Sequence, residues 1–473
     1  MKGSYQLAII GAGTAGFAAA SIAAKQGIKV ALIEGGEKIG GLCILKGCMP
    51  SKTLIESSRR FWDLQQAKFF GLKVEAISAD MQQIQWRKRK LVETFAKYRE
   101  EEILSLPVDF IRAQASFKSS NELEIIGRDG EKQLLYANVI IITTGSIIDP
   151  LPIPGLMESG FLTSDSALEL EHLPESITVL GGGPVACEFA QFFSRLGCKT
   201  TIIQRSPRLL KQFDPEVSQC LKDCFTAEGI TVFSDTQIEA VSTVNGLKKV
   251  SFFFKGKKKE VFSKEIFYAL GRRPNLKYLG LEKIGIHTDF QSLEVNDKMQ
   301  TSIPHIFAAG DATGNFGIVH IAREEGEIAA KNALEILAGK EPSHVISRRL
   351  TMEVVFTDPE TAMVGLLPRN GETINAKYFF QDHGKAIIEG KEQGFVKIYA
   401  EPSTGEILCG AIIGPHASEL IHIVSTCMYF RGKVEDLLHM PFYHPTLSEI
   451  LGYPAEEIFY VLQKRKEMNQ SVV

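Results

Sequence analysis

Two cysteines lie close together near the start of the chain, within the segment Gly41-Leu42-Cys43-Ile44-Leu45-Lys46-Gly47-Cys48-Met49-Pro50-Ser51-Lys52. On an ideal helix, residues five apart have Cα atoms roughly 8 to 9 Å apart, whereas a disulfide needs less than about 7 Å. Cys43 and Cys48 can therefore bridge only if the backbone bends, and Gly47 is the residue best able to allow the bend. A disulfide in a distorted turn is easily reduced, so the spacing indicates reversible thiol-disulfide exchange rather than two unrelated buried thiols.

The other six cysteines do not extend this pair into a disulfide framework, because eight cysteines are spread over 473 residues. In a reducing compartment a close pair is more typical of catalysis than of structure. We interpret the remaining six as structural, with Cys220 and Cys224 sharing one face of a helix. No group of residues has metal-ligand spacing, so the sequence predicts no metal site.

The composition, with 44% hydrophobic and 23% charged residues, is ample for two or three globular domains. A net charge of -3 and a pI near 6.4 argue against a nucleic-acid or anionic-membrane partner. We interpret the basic run Trp86-Arg87-Lys88-Arg89-Lys90 as a solvated helix face. The sequence has no apolar stretch of membrane-spanning length, and its first residues lead directly into a predicted strand without a signal peptide, so we expect a cytoplasmic protein.

An internal repeat surrounds the cysteine pair. A buried strand at 6–10 precedes Gly11-Ala12-Gly13-Thr14-Ala15-Gly16, and a predicted helix and strand then lead to Glu34. The pattern returns with a strand at 177–180, Gly181-Gly182-Gly183-Pro184-Val185-Ala186, a helix, a strand and Gln204. Both first glycines stand 23 positions before the end of the second strand. Two such fingerprints in one register predict two dinucleotide sites, at Gly11, Gly13 and Gly16 and at Gly181, Gly183 and Ala186.

Each fingerprint is also followed by a hairpin and a closing strand that ends in glycine. The first closing strand runs from Val139 to Thr144 and ends at Gly145. The second runs over 266–270 and ends at Gly271. The two halves therefore repeat the whole nucleotide-binding unit.

The residue at the end of the second strand distinguishes the two nucleotides. Glu34 offers a carboxylate to the ribose 2′-OH of FAD or NAD. Gln204 has no charge and is followed by Arg205 and Arg208, a set that suits the 2′-phosphate of NADPH. If Gln204 instead binds a 2′-OH and the arginines are surface charges, NADH is the nucleotide.

With these features the chain resembles the class I pyridine nucleotide-disulfide oxidoreductases, the family of dihydrolipoamide dehydrogenase, glutathione reductase and mercuric reductase. The segment from Thr301 to Asp311 resembles the family's second flavin segment, which implies that Gly310 and Asp311 contact FAD and that Asp311 holds the ribityl chain. Lys52 and Glu188 match the pair that lies beside the flavin ring. Gly41 belongs to the motif around the cysteine pair.

The stretch His444-Pro445-Thr446-Leu447-Ser448-Glu449 resembles the family's C-terminal acid-base motif. The resemblance implies that His444 reaches the active site of the other subunit and that Glu449 fixes its tautomer. Thr446 and Glu449 also have capping-box spacing, so the segment could be only a helix start. The two interpretations are compatible.

Departures from the family patterns bear on the substrate. Ser21 and Ile22 replace the adjacent arginines of glutathione reductases, and the chain lacks the terminal cysteines of mercuric reductases, so it is closest to dihydrolipoamide dehydrogenase. Tyr443 and Pro184, however, are unusual for that enzyme. The alternative is an NADPH-dependent reductase of another low-molecular-weight disulfide or metal-thiol substrate. A flavoprotein used only for binding or signalling is disfavoured because both cysteines and His444 are present.

We therefore predict an α/β protein with two Rossmann-like dinucleotide-binding domains and a C-terminal α+β dimerisation domain. An FAD domain would comprise 1–150 and 275–345, an NAD(P) domain 151–274 and an interface domain 346–473. Electrons would pass between NADPH or NADH, FAD, the Cys43–Cys48 disulfide and a small dithiol or disulfide such as a lipoyl group. Cys48 would face the flavin, Cys43 would exchange with substrate, and the enzyme would be a homodimer.

Overall fold

A computed structural model describes residues 3–289, 291–315, 317–368 and 373–470. The chain forms two compact units. The first unit contains Met1–Thr53, Gln83–Pro150 and Gly271–Ser347, and the second contains Leu54–Gln82, Leu151–Leu270 and Arg348–Val473. The division into three domains with the boundaries given above stays a prediction.

The strands of the described residues are, in chain order, β1 Gly3–Ile10, β2 Val30–Ile33, β3 Asp109–Ile111, β4 Ala113–Ser119, β5 Glu122–Gly127, β6 Lys132–Ile142, β7 Ser146–Ile147, β8 Ser176–Leu180, β9 Lys199–Gln204, β10 Thr231–Ser234, β11 Thr236–Val244, β12 Leu247–Phe254, β13 Lys257–Ser263, β14 Glu265–Tyr268, β15 Arg273–Pro274, β16 Ile306–Ala308, β17 Met352–Val355, β18 Glu360–Val364, β19 Ile374–Phe379, β20 Phe395–Ala400 and β21 Ile407–Gly414.

The α-helices of the same residues are α1 Thr14–Ala23, α2 Gly41–Leu45, α3 Cys48–Gln65, α4 Met81–Leu104, α5 Leu156–Ser159, α6 Ser164–Ala167, α7 Pro184–Arg195, α8 Pro215–Ala227, α9 Val319–Leu337, α10 Gly384–Ile388, α11 Ala417–Tyr429, α12 Val434–His439 and α13 Gly452–Gln470. None of these helices is long and apolar enough to cross a membrane.

The first unit is built on a mixed sheet in the order β3-β2-β1-β6-β5-β4, with β16 beside β6. Strands β1, β2, β3, β6 and β16 pair in parallel. The last four residues of β1 and all of β2 are buried, as expected for strands covered on both faces. Leu7 and Ile9 pack with alanines of α1 and α9, whereas Ala8 and Ile10 belong to the cluster of the opposite face. The predicted strand-turn-helix-strand unit of the first fingerprint is thereby confirmed.

The second unit repeats this arrangement with a parallel sheet in the order β10-β9-β8-β14 and an antiparallel meander β11-β12-β13. Its C-terminal part is an antiparallel sheet in the order β17-β18-β21-β20-β19, packed with α11, α12 and α13 in one core. The alternation of apolar and polar residues along β20 predicts a sheet that is covered on one side only. This prediction is wrong for β20, because its six residues are all buried. Lys397 can be buried because its Nζ lies 3.1 Å from Asp214 Oδ2 and 2.6 Å from Glu216 Oε1 at the start of α8.

Helix α4 also differs from the sequence interpretation. Lys88 is only 2% exposed, so the basic run 86–90 is not simply a solvated face. Lys88 follows Gln85 by three positions, and Gln85 is 1% exposed. The run therefore crosses the buried face of the helix, while Trp86 is 58% exposed.

Candidate active site

The first fingerprint forms a tight turn between β1 and α1. Gly11 has φ 107°, and a Cβ at this position would lie 2.4 Å from the Thr143 carbonyl oxygen. A Cβ on Gly16 would lie 1.8 Å from the Gly11 carbonyl oxygen. Only glycine fits at these two positions, and the close approach brings the loop to the N-terminus of α1, where backbone N–H groups favour an anion.

The residues around this turn fit a dinucleotide. Glu34 Oε2 accepts a hydrogen bond of 2.8 Å from the Ala12 N–H, and its other oxygen accepts one of 2.6 Å from the Gly36 N–H. Glu34 therefore lies at the loop, as a ribose ligand must. The buried hydroxyl of Thr144 has no hydrogen-bond partner among the described residues, although Thr144 adjoins Gly11. An unsatisfied donor beside a glycine turn is what a bound nucleotide would use.

The predicted second flavin segment is held by residues that the sequence analysis did not single out. Ser146 donates a hydrogen bond of 2.6 Å to Asp311 Oδ2, and Arg272 Nε donates one of 3.0 Å to the Ser146 hydroxyl. The Gly310 N–H donates one of 2.7 Å to Glu325 Oε2. Glu325 is 1% exposed and lies in α9, 15 residues after Gly310.

The cysteine segment packs directly against the first fingerprint. Gly41 begins α2, and a Cβ there would lie 2.7 Å from the Gly13 Cα. The break between α2 and α3 falls at Gly47, where a Cβ would lie 2.9 Å from the Leu42 carbonyl oxygen and 3.1 Å from the Cys43 Cα. Gly47 thus permits the bend, as predicted. The reason is the close approach of the α2 backbone rather than a left-handed φ.

Cys43 and Cys48 are both partly buried. The pKa of Cys43 lies well above the ordinary thiol value, because of its hydrogen bond with Cys48 first and burial second, while Lys52 acts in the opposite direction. Cys48 is the first residue of α3, and a helix N-terminus favours negative charge. Both effects favour a proton on Cys43 and negative charge on Cys48.

The second fingerprint matches the first in detail. Gly181 has φ 118°, and a Cβ there would lie 2.3 Å from the Ala269 carbonyl oxygen. Gln204 lies against Gly182, because a Cβ added to Gly182 would be 2.9 Å from the Gln204 Cγ. Gln204 therefore has the same position in the second fingerprint that Glu34 has beside Ala12 in the first. A Cβ on Gly183 would meet no atom within 4 Å. These residues also fit a dinucleotide.

The remaining nucleotide residues are placed as follows. Ala186 is buried in α7, directly after the turn. Arg205 is exposed in the loop after β9, and Arg208 donates a hydrogen bond of 2.9 Å to the Lys211 carbonyl oxygen. In the first unit, Gly145 accepts a hydrogen bond of 2.9 Å from the Asn275 N–H. Gly271 has φ 124°.

Glu188 lies on α7 and is 4% exposed. Its carboxylate accepts a hydrogen bond of 3.0 Å from the Phe356 N–H. Lys52 lies in the first turns of α3, four residues after Cys48, and its charge acts on Cys43. The two side chains belong to different units of the chain, and their pairing beside the flavin stays a prediction.

His444 and Glu449 form a hydrogen-bonded pair. The His444 Nδ1 lies 2.9 Å from Glu449 Oε1, while Glu449 Oε2 accepts a hydrogen bond of 2.8 Å from the Thr446 N–H. The Thr446 N–H, and then His444, hold the pKa of Glu449 below its ordinary value. The imidazole is 82% exposed. An ionised Glu449 keeps the proton on Nδ1, so that Nε2 is the nitrogen able to exchange protons.

A second histidine near this pair was missed by sequence reasoning. His383 is 3% exposed and lies with its ring 6.3 Å from that of Tyr453, which stacks on Tyr378. Burial lowers the pKa of His383, the charge of Glu449 opposes this, and His444 adds to it. No motif contains His383. Only the packing of α10 and α13 onto the C-terminal sheet reveals where it lies.

Comparison with known proteins assigns the fold and the chemistry to a family. Residues 5–326 match the family described as pyridine nucleotide-disulphide oxidoreductase, and residues 351–455 match its dimerisation domain. The chain belongs to this family. Two Rossmann-like nucleotide-binding units and a C-terminal dimerisation domain, as predicted, are confirmed by these matches. The protein is an oxidoreductase that uses FAD and a nicotinamide nucleotide.

Individual relatives share most of the chain. A dihydrolipoyl dehydrogenase of Bacillus subtilis is 34% identical over 453 residues, covering 94% of this chain and 96% of the relative. A mercuric reductase of Staphylococcus aureus is 32% identical over 445 residues, covering 92% of this chain and 79% of the relative. The structure of LpdA from Mycobacterium tuberculosis has a TM-score of 0.84 at 27% identity, covering 96% of this chain and 99% of that one. The flavoprotein disulfide reductase RclA from Escherichia coli shares the fold, with a TM-score of 0.82 at 24% identity over 96% of this chain and 99% of RclA.

Proposed function

We propose that this flavoenzyme moves electrons between a nicotinamide nucleotide and a small dithiol or disulfide, with Cys43 and Cys48 as its redox pair, in the manner of a dihydrolipoyl dehydrogenase. The observation that carries the proposal is the thiol geometry. Cys43 and Cys48 interact across the break between α2 and α3, and the same segment packs through Gly41 against the first fingerprint. The dihydrolipoyl dehydrogenase relatives support lipoyl groups as the substrate class.

Bound FAD and nicotinamide would supply the hydride and electron-pair transfer that no amino-acid side chain provides. The turn at Gly11 and Gly16, with Glu34 and Asp311, would hold FAD. The turn at Gly181 and Gly183, with Gln204, would hold the nicotinamide nucleotide.

The chain's own chemistry is disulfide exchange. In the reducing direction the Cys43 thiolate attacks one sulfur of the substrate, the substrate S–S bond breaks, and the first substrate thiol leaves with a proton. The Cys48 thiolate then attacks the Cys43 sulfur, so that the Cys43–Cys48 bond forms and the second substrate thiol leaves. The enzyme supplies two electrons, and the Cys43–Cys48 dithiol becomes the disulfide. The first substrate sulfur takes the proton that left Cys43, and the second takes a proton that His444 draws from water.

Cys43 needs a base for this step, because its pKa is raised and it would otherwise keep its proton. We assign this base to His444, which takes the proton at Nε2 and returns it to the leaving thiolate. Glu449 fixes the ring and stabilises the imidazolium that forms. Lys52 favours negative charge at the thiols.

We further propose a homodimer in which His444 serves the active site of the partner subunit. The match of residues 351–455 to the dimerisation domain supports the dimer, and the 82% exposure of His444 in one subunit leaves its ring accessible to a second. Cytoplasmic location stays a prediction, which cell fractionation can test.

We propose NADPH as the preferred nucleotide. The position equivalent to Glu34 holds Gln204, which would not repel a 2′-phosphate, and the exposed Arg205 follows it. A guanidinium pairs well with a phosphate through two parallel hydrogen bonds.

Steady-state assays of the FAD-loaded protein test the function. Lipoamide, glutathione disulfide and other small disulfides are compared with NADPH and NADH, alongside dihydrolipoamide with NADP⁺ and NAD⁺. We expect lipoamide turnover that Cys43→Ser abolishes and that Cys427→Ser, a change at a cysteine outside the redox pair, leaves unaltered. If Cys43→Ser turns over lipoamide at the rate of the unmodified enzyme, the proposed function is wrong.

A further inference from the structure

A second pair of thiols lies on α8, remote in sequence from the redox pair. Cys220 and Cys224 are four residues apart within the helix Pro215–Ala227, so both lie on one side of it. Helical residues at this spacing have Cβ atoms about 5 to 6 Å apart, wider than the roughly 3.5 to 4.5 Å of a disulfide. The pair therefore suits an atom that bridges the two sulfurs better than a direct sulfur–sulfur bond.

The two sulfurs interact with each other. The pKa of Cys220 lies below the ordinary thiol value because of its hydrogen bond with Cys224, whereas burial and the charge of Asp223 act in the opposite direction. The pKa of Cys224 is raised by the same hydrogen bond first and by burial second. Cys220 is therefore the thiol of the pair that ionises first and reacts first.

The pair is also reachable from the surface. Cys220 is partly exposed and Cys224 is 7% exposed, while Gln219 and Asp223 beside them are exposed. The other cysteines outside the redox pair have raised thiol pKa values, chiefly through burial: Cys187, Cys198, Cys409 and Cys427. Cys220 differs from these four because its hydrogen bond with Cys224, rather than burial, has the largest effect on its pKa.

The surrounding charges restrict what the pair could hold. Asp223 and Glu228 both act against a thiolate at Cys224. The site therefore favours a bound centre that leaves it without net charge. A monovalent cation between two thiolates would leave the site with a net negative charge and is disfavoured. Among the residues that the structure describes, no group of three or more histidine, cysteine, aspartate or glutamate side chains could hold a metal ion. A four-coordinate zinc site is thus not formed here.

We propose that Cys220 and Cys224 form a second dithiol site, separate from the redox pair, for a soft thiophilic centre that bonds two sulfurs and is neutral when bound. A mono-organic trivalent arsenical has these properties. Two As–O bonds of the hydrated arsenical break and two As–S bonds form. The two thiol protons leave with the oxygens as water, and no atom is oxidised or reduced.

Phenylarsine oxide tests the site in the FAD-loaded protein. In a Cys43→Ser, Cys48→Ser chain, which lacks the redox pair, intact-mass measurement should show one phenylarsenic adduct per chain. This adduct should withstand a monothiol and be removed by a small dithiol. Adding Cys220→Ser should abolish it, whereas the matched control Cys427→Ser should keep it.

A second measurement tests the site even if the Cys43→Ser, Cys48→Ser chain does not retain FAD. In the Cys43→Ser, Cys48→Ser chain, the arsenical should slow alkylation of Cys220 by iodoacetamide about tenfold or more, as peptide mapping would show. Absence of any adduct in that chain, an adduct that survives Cys220→Ser, or unchanged alkylation of Cys220 would each overturn the proposal. The test does not depend on substrate turnover, so it is separate from the proposed function.

Discussion

At the scale of single residues, one carboxylate explains why two interpretations of the C-terminal motif are compatible. Glu449 Oε2 accepts the Thr446 N–H at the start of a helical turn, and Glu449 Oε1 lies 2.9 Å from His444 Nδ1. The Glu449 side chain therefore caps the helical turn with one oxygen and orients the His444 imidazole with the other.

The two thiols should differ in their spectroscopic behaviour. We expect the reduced, FAD-loaded enzyme to show a long-wavelength thiolate-to-flavin charge-transfer band, because the start of α3 favours the Cys48 thiolate. Cys43→Ser should keep this band and Cys48→Ser should abolish it, as anaerobic absorbance titration would show. The opposite pattern would exchange the assignment of the two thiols.

The coenzyme preference depends on the end of β9. NADPH should give the higher kcat/KM, and Gln204→Glu with Arg205→Phe should move the preference toward NADH by about 1 to 3 kcal/mol, the scale of charged hydrogen bonds gained or lost. Arg208→Gln is a suitable comparison, since Arg208 already bonds the Lys211 carbonyl. A tenfold preference of the unmodified enzyme for NADH would refute the assignment of Arg205 to a 2′-phosphate.

His383 should make the protein sensitive to mild acid. Its folded-state pKa is lowered by burial, so the unfolded chain binds the proton more strongly and stability rises with pH as His383 loses its proton. Between pH 7 and pH 5 the thermal midpoint of the holoenzyme should therefore fall less in His383→Asn than in the unmodified protein. His422→Asn, a change at an exposed histidine, serves as the control. Equal falls in both variants would show that His383 does not contribute.

At the scale of elements, the sequence predicts the main strands, turns and helices of the two fingerprint units. The repeat of strand, glycine turn, helix and strand was recognisable because buried parallel strands and glycine turns leave local patterns. The contacts of Lys397 and His383 left no such pattern, since each depends on residues distant in sequence. Lys397, for example, is buried only because Asp214 and Glu216 approach it.

The break between α2 and α3 provides a test at this scale. Gly47→Ala would place a Cβ 2.9 Å from the Leu42 carbonyl oxygen and 3.1 Å from the Cys43 Cα. Since backbone must then move, we expect a loss of stability of about 1 to 3 kcal/mol and weaker interaction between the thiols. Gly384→Ala, where a Cβ would meet no atom within 4 Å, should be nearly neutral. Chemical denaturation of both variants measures the difference, and a neutral Gly47→Ala would contradict the packing argument.

At the scale of the whole molecule, the proposed active site requires two copies of the chain. Cys43 and Cys48 lie in the first unit, and His444 and Glu449 lie in the second. We propose that one active site takes its thiols from one subunit and its base from the other. His444→Ala should then spare FAD binding and flavin reduction, yet slow thiol-disulfide exchange by about 10² to 10⁴.

Mixing two inactive variants shows whether His444 acts in the active site of the partner subunit. After subunit exchange between His444→Ala and Cys43→Ser, a mixed dimer holds one site with both lesions and one site with neither. In an equal mixture with random pairing, lipoamide turnover should return to about a quarter of the unmodified rate, because half the dimers are mixed and each has one intact site. If His444 serves its own subunit, every site carries one lesion, and no turnover above that of the separate variants would return.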